Sequence, residues 1–110
     1  MAGPLETETQ LWCVYLPKVS NEGVVFGPHN YTEIMNSIQQ LSGGYTIFPS
    51  ANGVWRSTEG KMYSDEIIPV YFMATEEQAH DVASLAAKQL EQEAVMIFVV
   101  SNHVHFVEAT

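Results

Sequence analysis

The amino-acid sequence predicts an α+β domain in which two helices cover one face of an antiparallel sheet. Three observations carry that expectation. Two segments repeat apolar residues every three or four positions, and each is preceded by a helix-capping pattern. Two further segments, residues 11–16 and 94–100, are apolar at both parities, as strands covered on both faces are. The order along the chain is strand, helix, strand, strand, helix, strand, which is the split βαβ layout of a ferredoxin-like βαββαβ sandwich.

The first element is expected at residues 11–16, Leu-Trp-Cys-Val-Tyr-Leu, following a polar, acidic stretch with a Gly-Pro step that reads as a flexible leader over residues 1–9. Loop formers run from Lys18 to Pro28. Asn30, with Glu33 three residues on, then reads as an N-cap with its capping-box partner. Tyr31, Ile34, Met35, Ile38 and Leu41 form the stripe of the first helix, and Gly43-Gly44 stops it. Residues 45–48 read as a short strand ended by Pro49. Residues 51–66, holding Gly53 and Gly60, read as a loop, and residues 67–73 as the next strand. Pro69 cannot donate to a ladder, so a strand entry, bulge or edge-facing position is expected there. Thr75 with Gln78 is a second capping box for a helix over residues 76–92, whose stripe is Ala79, Val82, Ala83, Ala86 and Leu90. Residues 94–100 form the last strand of the sandwich, and residues 103–107 a possible short extra C-terminal strand.

At 110 residues and 46% apolar, the chain suffices for one two-layer core, so residues 10–110 are expected to form a single domain. Four Lys and Arg against thirteen Asp and Glu give a formal charge of −9, which repels phosphate backbones and anionic membranes. Neither nucleic acid nor membrane is expected as a partner. One cysteine, Cys13, cannot form an internal disulfide, and in an apolar run it reads as a small buried hydrophobe, which fits a reducing compartment. There is no basic segment followed by an apolar one at the start, and no apolar stretch approaches about 18 residues, so a soluble, cytoplasmic protein is expected.

The candidate functional residues gather in residues 51–66, which hold the chain's only arginine, one of its two tryptophans and three carboxylates. Arg56 is suited to clamp a ligand carboxylate or phosphate through its paired donors; alternatively it pairs with Glu59 or Asp65 across a turn. Trp55 is suited to stack on a base or cation, or else to close the sheet edge over the core. Asp65 and Glu66 adjoin, so on a strand they point to opposite faces and at most one serves a given face. Tyr63 with Glu66 fits a polar or cationic ligand or simply a solvated strand start. Gln92 either meets a ligand amide or satisfies the last carbonyls of the second helix. His103 and His105 share a parity that suits a metal, but no third ligand is evident, and no metal is expected. No Ser-His-Asp arrangement, phosphate loop or paired-cysteine zinc motif is present, and no cofactor is expected.

The stretch "GGYTIFPSANGVWRSTEGKMYSDEIIPVYFM", continued by "ASLAAKQLEQEAVMIF", resembles a widespread set of small, uncharacterised bacterial ferredoxin-like proteins. The layout is similar to PII-like and CutA-like trimers, and that likeness implies small ligands bound in clefts between subunits. A second resemblance is to the phage S-adenosylmethionine lyases, through "VASLAAKQLEQEAVMIF" and the grouping of Gly60, Tyr63 and Asp65 or Glu66. It implies Tyr63, Asp65 and Glu66 as catalytic-site residues, with Trp55 or Tyr45 facing a sulfonium.

Strands apolar on both faces leave the uncovered side of the sheet in need of a partner, so a homo-oligomer, dimer or trimer, is expected. The leading functional expectation is a non-catalytic small-ligand-binding or regulatory oligomer, with an intersubunit cleft near residues 51–66 lined by Arg56, Trp55, Tyr45, Tyr63 and Glu66. A lyase acting on S-adenosylmethionine is the alternative. A structural adaptor, binding a partner protein through its sheet face, is a third reading.

Overall fold

The computed structural model describes residues 8–109, so all but Glu8 and Thr9 of the expected leader lies outside the described residues. The fold is the predicted ferredoxin-like one: strands β1 (Gln10–Pro17), β2 (Tyr45–Ile47), β3 (Ala51–Arg56), β4 (Met62–Ala74) and β5 (Ile97–Ser101) form one antiparallel sheet. Helices α1 (Thr32–Ser42) and α2 (Glu76–Gln89) pack on it. The strand order is β2-β4-β1-β5, and β3 also pairs with β4.

The second strand of the sandwich is split. β2 pairs with Val70–Phe72 of β4 and β3 with Met62–Ile67, so both lie along one edge of β4. Pro49 falls between them and supplies no N–H. Pro69 sits in the middle of β4 opposite Tyr15, and its carbonyl accepts from the Phe48 N–H at 3.0 Å. Both polar groups of one extended residue point the same way, so the missing N–H of Pro69 faces this interruption, and the proline is tolerated inside an interior strand instead of at the strand entry, bulge or edge expected of it.

Residues 51–66 are therefore a hairpin and not the loop the glycines suggest. Gly60, at φ +84°, makes the turn, with its N–H donating to the Ser57 carbonyl at 2.9 Å and the Ser57 N–H to that of Lys61 at 2.8 Å. Gly53 lies within a strand, opposite Asp65. β4 is 13 residues long, and β1 pairs only with its last eight, Ile67–Ala74. The first five residues of β4, with β3, project past the sheet as a two-stranded ribbon on which Val54, Trp55 and Met62 are half or more exposed.

Trp12, Val14 and Leu16 of β1 and Val70, Phe72 and Ala74 of β4 alternate onto the helix side and form the core with Ile34, Ile38, Ala79, Val82, Ala86 and Leu90. Ala79, Val82, Ala86 and Leu90 of the expected second stripe are fully buried, and Ala83 is half-buried at its margin. Trp12 satisfies its indole N–H on the Ala74 carbonyl at 3.0 Å.

The helix signals differ in outcome. Thr75 and Gln78 cap α2 reciprocally at 3.1 and 2.9 Å, as expected. Asn30 does not cap α1: it ends a 3₁₀ turn (Pro28–Asn30), its Oδ1 accepts the Gly27 N–H at 2.8 Å, and Tyr31 is the cap residue. Gly43 closes α1 at φ +78°. α2 stops three residues before Gln92, because Glu91 turns left-handed at φ +52°. Residues 103–107 form no strand: the Ser101 hydroxyl donates to the His103 carbonyl at 2.8 Å and accepts its N–H at 3.1 Å, which turns the chain off the ladder. No helix among the described residues is long and apolar enough to cross a membrane.

Candidate ligand-binding site

The ribbon register places Trp55 directly opposite Tyr63, and strand alternation puts Asp65 on the same face as both. The Trp55 and Tyr63 rings stack at 4.6 Å with planes 16° apart, and the Trp55 indole donates to Asp65 Oδ2 at 2.8 Å. The Lys61 ammonium stands 5.5 Å from the centre of the Tyr63 ring. Trp55 thus neither closes the sheet edge over the core nor lies loose: it is half exposed on a rigidified ribbon.

Arg56 and Glu66 lie on the opposite face. Arg56 Nε is 3.5 Å from Met62 Sδ, a weak contact, and among the described residues no carboxylate comes within ion-pair distance of the guanidinium. The expected pairing with Glu59 or Asp65 is absent, since Asp65 points to the other face and takes Trp55 instead. Glu66 pairs with Lys18 at 3.4 Å, an exposed bridge worth little stability. The same lysine reaches Ser50 Oγ at 3.3 Å.

Where β1 leaves β4, the Lys18 N–H donates to the Glu66 carbonyl at 3.1 Å and the chain turns away. The edge of β4 beyond that point has no β1 beside it, and a cleft of about 390 Å³ opens there. Because it lies along a strand edge, both neighbours, Asp65 and Glu66, border it, although their side chains take opposite faces. Tyr15, Asn21, Gln92 and Met96 complete its walls. The Gln92 amide donates to the Leu90 carbonyl at 3.0 Å and so satisfies a carbonyl at the end of α2, and the residue also lines the cleft. Asn21 donates to the Glu91 carbonyl at 2.9 Å and so pins the left-handed turn that delivers Gln92.

The fold thus brings Asp65, Glu66 and Gln92 together, keeps Trp55 and Tyr63 on the adjoining ribbon, and sets Arg56 apart. Tyr45 lies elsewhere, in a concavity of about 470 Å³ with Gly43, Met73 and Phe106. His103 and His105 lie beyond the last strand, so the shared-face argument does not apply to them, and no group of three metal-ligating side chains occurs among the described residues. Tyr15, Asn21 and Lys18 carried no sequence signal, being an ordinary strand residue and two loop residues.

No protein-family model and no curated protein matches the sequence. Solved structures do match the fold. A phage S-adenosylmethionine lyase in complex with S-methyl-5'-thioadenosine superposes with a TM-score of 0.64 at 8% identity, covering 93% of this chain and 88% of that one. CutA1 from Oryza sativa gives 0.61 at 14% identity over 93% and 84%. The divalent cation tolerance protein CutA1 from Thermus thermophilus gives 0.60 at 10% identity over 93% and 87%. These likenesses define the class, a ferredoxin-like α+β domain of the CutA and S-adenosylmethionine lyase architecture. Identities this low speak for the fold alone.

Proposed function

We propose that the protein is a small-ligand-binding homo-oligomer in which the ribbon of one protomer closes the cleft of another. The observation that carries this reading is the ribbon itself. A two-stranded ribbon is marginal in water, yet this one projects from the sheet with Val54, Trp55 and Met62 exposed and one edge of β4 unaccompanied by β1. Pairing with a second copy would satisfy that edge and bury those side chains. The ligand then occupies the cleft bordered by Asp65, Glu66 and Gln92. Trp55 and Arg56, which do not line the cleft of their own protomer, serve that of the next copy, Trp55 as a cover and Arg56 as a donor to an anionic group.

Sedimentation equilibrium at micromolar concentration tests the assembly. The expected result is a discrete dimer or trimer that Val54→Asp shifts toward monomer; a 12.3 kDa monomer for the wild type overturns it. A thermal-shift panel of nucleotides, S-adenosylmethionine and fatty acids tests binding, since a ligand at a hundred times its dissociation constant stabilises by about 2.7 kcal/mol. With a hit in hand, Arg56→Ala should weaken binding by about 1.5–3 kcal/mol and Arg56→Lys should restore part of it. Equal affinity in both variants removes Arg56 from the site.

A second reading, lyase action on S-adenosylmethionine, is favoured by one grouping: the Trp55–Tyr63 stack with the Asp65 carboxylate hydrogen-bonded to it offers aromatic faces and a negative charge to a sulfonium. The substrate's own carboxylate would attack its γ-carbon and expel the thioether, so the protein need only hold the reactive conformation. Methylthioadenosine and homoserine lactone would form, suppressed by Asp65→Asn or Glu66→Gln. No turnover by folded wild type at high enzyme concentration rules this reading out.

A further inference from the structure

We propose a second binding site, on the face of the sheet away from the helices, for a neutral planar aromatic molecule. A concavity of about 310 Å³ opens there, and it arises from how small and large side chains alternate across three strands. Cys13 of β1 lies opposite Tyr71 of β4 and Phe98 of β5, so the small thiol stands between two rings. One step along β1, on the same face, Tyr15 is opposite Pro69, and Ala51 borders the depression from β3. Small residues make the floor and aromatic ones the rim.

The rim is braced. Tyr15 and Phe98 meet edge to face at 5.1 Å and 80°, and Phe48 and Tyr71 at 4.6 Å and 60°. Each pair holds its partner's orientation, and aromatic side chains around a depression are surroundings in which a further ring finds stacked or edge-on contacts.

The lining selects against charge. In a chain with thirteen carboxylates, none borders this concavity, nor does any Lys, Arg or His; its side-chain polar atoms are two phenol hydroxyls and the Cys13 thiol. Burial pushes that thiol up to about 11, so it is uncharged at neutral pH. A charged ligand would surrender its hydration here without gaining a counter-charge, whereas a neutral ring gives up little and gains contact area. The volume lies at the small end of ligand pockets, roughly 300–1,000 Å³, which suits one or two fused rings carrying an N–H or hydroxyl to meet a phenol oxygen. The concavity shares only Tyr15 with the cleft beside Asp65 and Glu66, so it stands or falls independently of the function proposed for that cleft.

Three probes of similar ring size and different charge test the site: indole, benzoate and benzylammonium, each titrated into isotope-labelled protein while chemical shifts are followed. Indole should give saturable shifts confined to Cys13, Tyr15, Phe48, Tyr71 and Phe98, with the two ions roughly tenfold weaker or worse. Ala51 is exposed, so Ala51→Phe should plug the space with the rest of the spectrum unchanged and abolish the indole shifts; Phe48→Ala, which removes part of the rim, should weaken them. Non-saturable or scattered shifts, equal binding of the ions, or undiminished binding in Ala51→Phe overturns the proposal. So do shifts at these residues on protein dilution without any probe, which would assign the face to a second copy of the chain.

Discussion

Trp55 is held to the ribbon twice, its ring stacked on Tyr63 at 4.6 Å and its indole N–H on Asp65 at 2.8 Å. The first contact is a direct cross-strand pair and the second a diagonal one, so together they lock both strands of the projecting hairpin beyond the reach of the core. Trp55→Ala should therefore loosen the ribbon, with a loss of about 0.5–1.5 kcal/mol of local stability, while the domain stays folded. Hydrogen exchange reads this directly: amides of residues 53–65 should exchange faster and those of β1 should not. Equal acceleration in both would mean that the ribbon and the core unfold as one unit.

Ala86 is fully buried where α2 faces the sheet, and the helix lies close because its contact residues are small. Ala86→Glu places an unpaired carboxylate there and should cost about 3–5 kcal/mol, a large fraction of the roughly 5–15 kcal/mol that holds an ordinary domain folded. Ala83→Glu, at the half-buried margin, should cost clearly less. Urea unfolding of the two variants decides it, and equal losses would show that the helix is phased differently.

Glu91 occupies a left-handed position, φ +52°, just past the end of α2, where glycine is the usual residue. Glu91→Gly should raise stability by up to about 1 kcal/mol, the relief of a left-handed side chain less the greater freedom of glycine when unfolded. Glu91→Val should lower it. The two midpoints of chemical unfolding should bracket the wild type; a destabilised Glu91→Gly would indicate that the glutamate side chain makes a contact of its own.

Burial raises the Cys13 thiol from an ordinary 9.0 to about 11, with a backbone hydrogen bond involving Val70 opposing the shift. Between those values the unfolded chain releases a proton that the folded chain keeps, so the thiol's contribution to stability is intact below pH 9 and is lost as pH rises toward 11. Tyr31, also raised by burial, titrates in the alkaline range as well, so the comparison must be differential. Cys13→Ala should show a shallower fall in stability over this window than the wild type. Identical slopes would show that the thiol is not the group responsible.

The local chemistry of the chain was enough to determine the two helices and the sheet's covered strands. Thr75 and Gln78 cap α2 across three residues, Gly43 ends α1, and β1 carries apolar residues at both parities because one face meets the helices and the other the aromatic rim around Cys13. Each of those signals acts between residues one to four apart or reports burial of the residue itself, so it is written in the sequence. The ribbon and the cleft are not written there. Gly53 and Gly60 look alike as loop markers, yet one sits in a strand and the other makes the turn, because the distinction depends on the partner strand each meets. Asn30 had an acceptable partner at Glu33 but found the Gly27 N–H first. Asp65 and Glu66 border one cleft with Tyr15 and Gln92 only because β1 turns away at Lys18 and α2 stops at Gln89, while Tyr45, near the ribbon in sequence, is carried to the far half of β4 by the break at Pro49. Pairing register and the place where a strand loses its neighbour are long-range quantities, decided by which contacts close first around the shared core, and those placed the site.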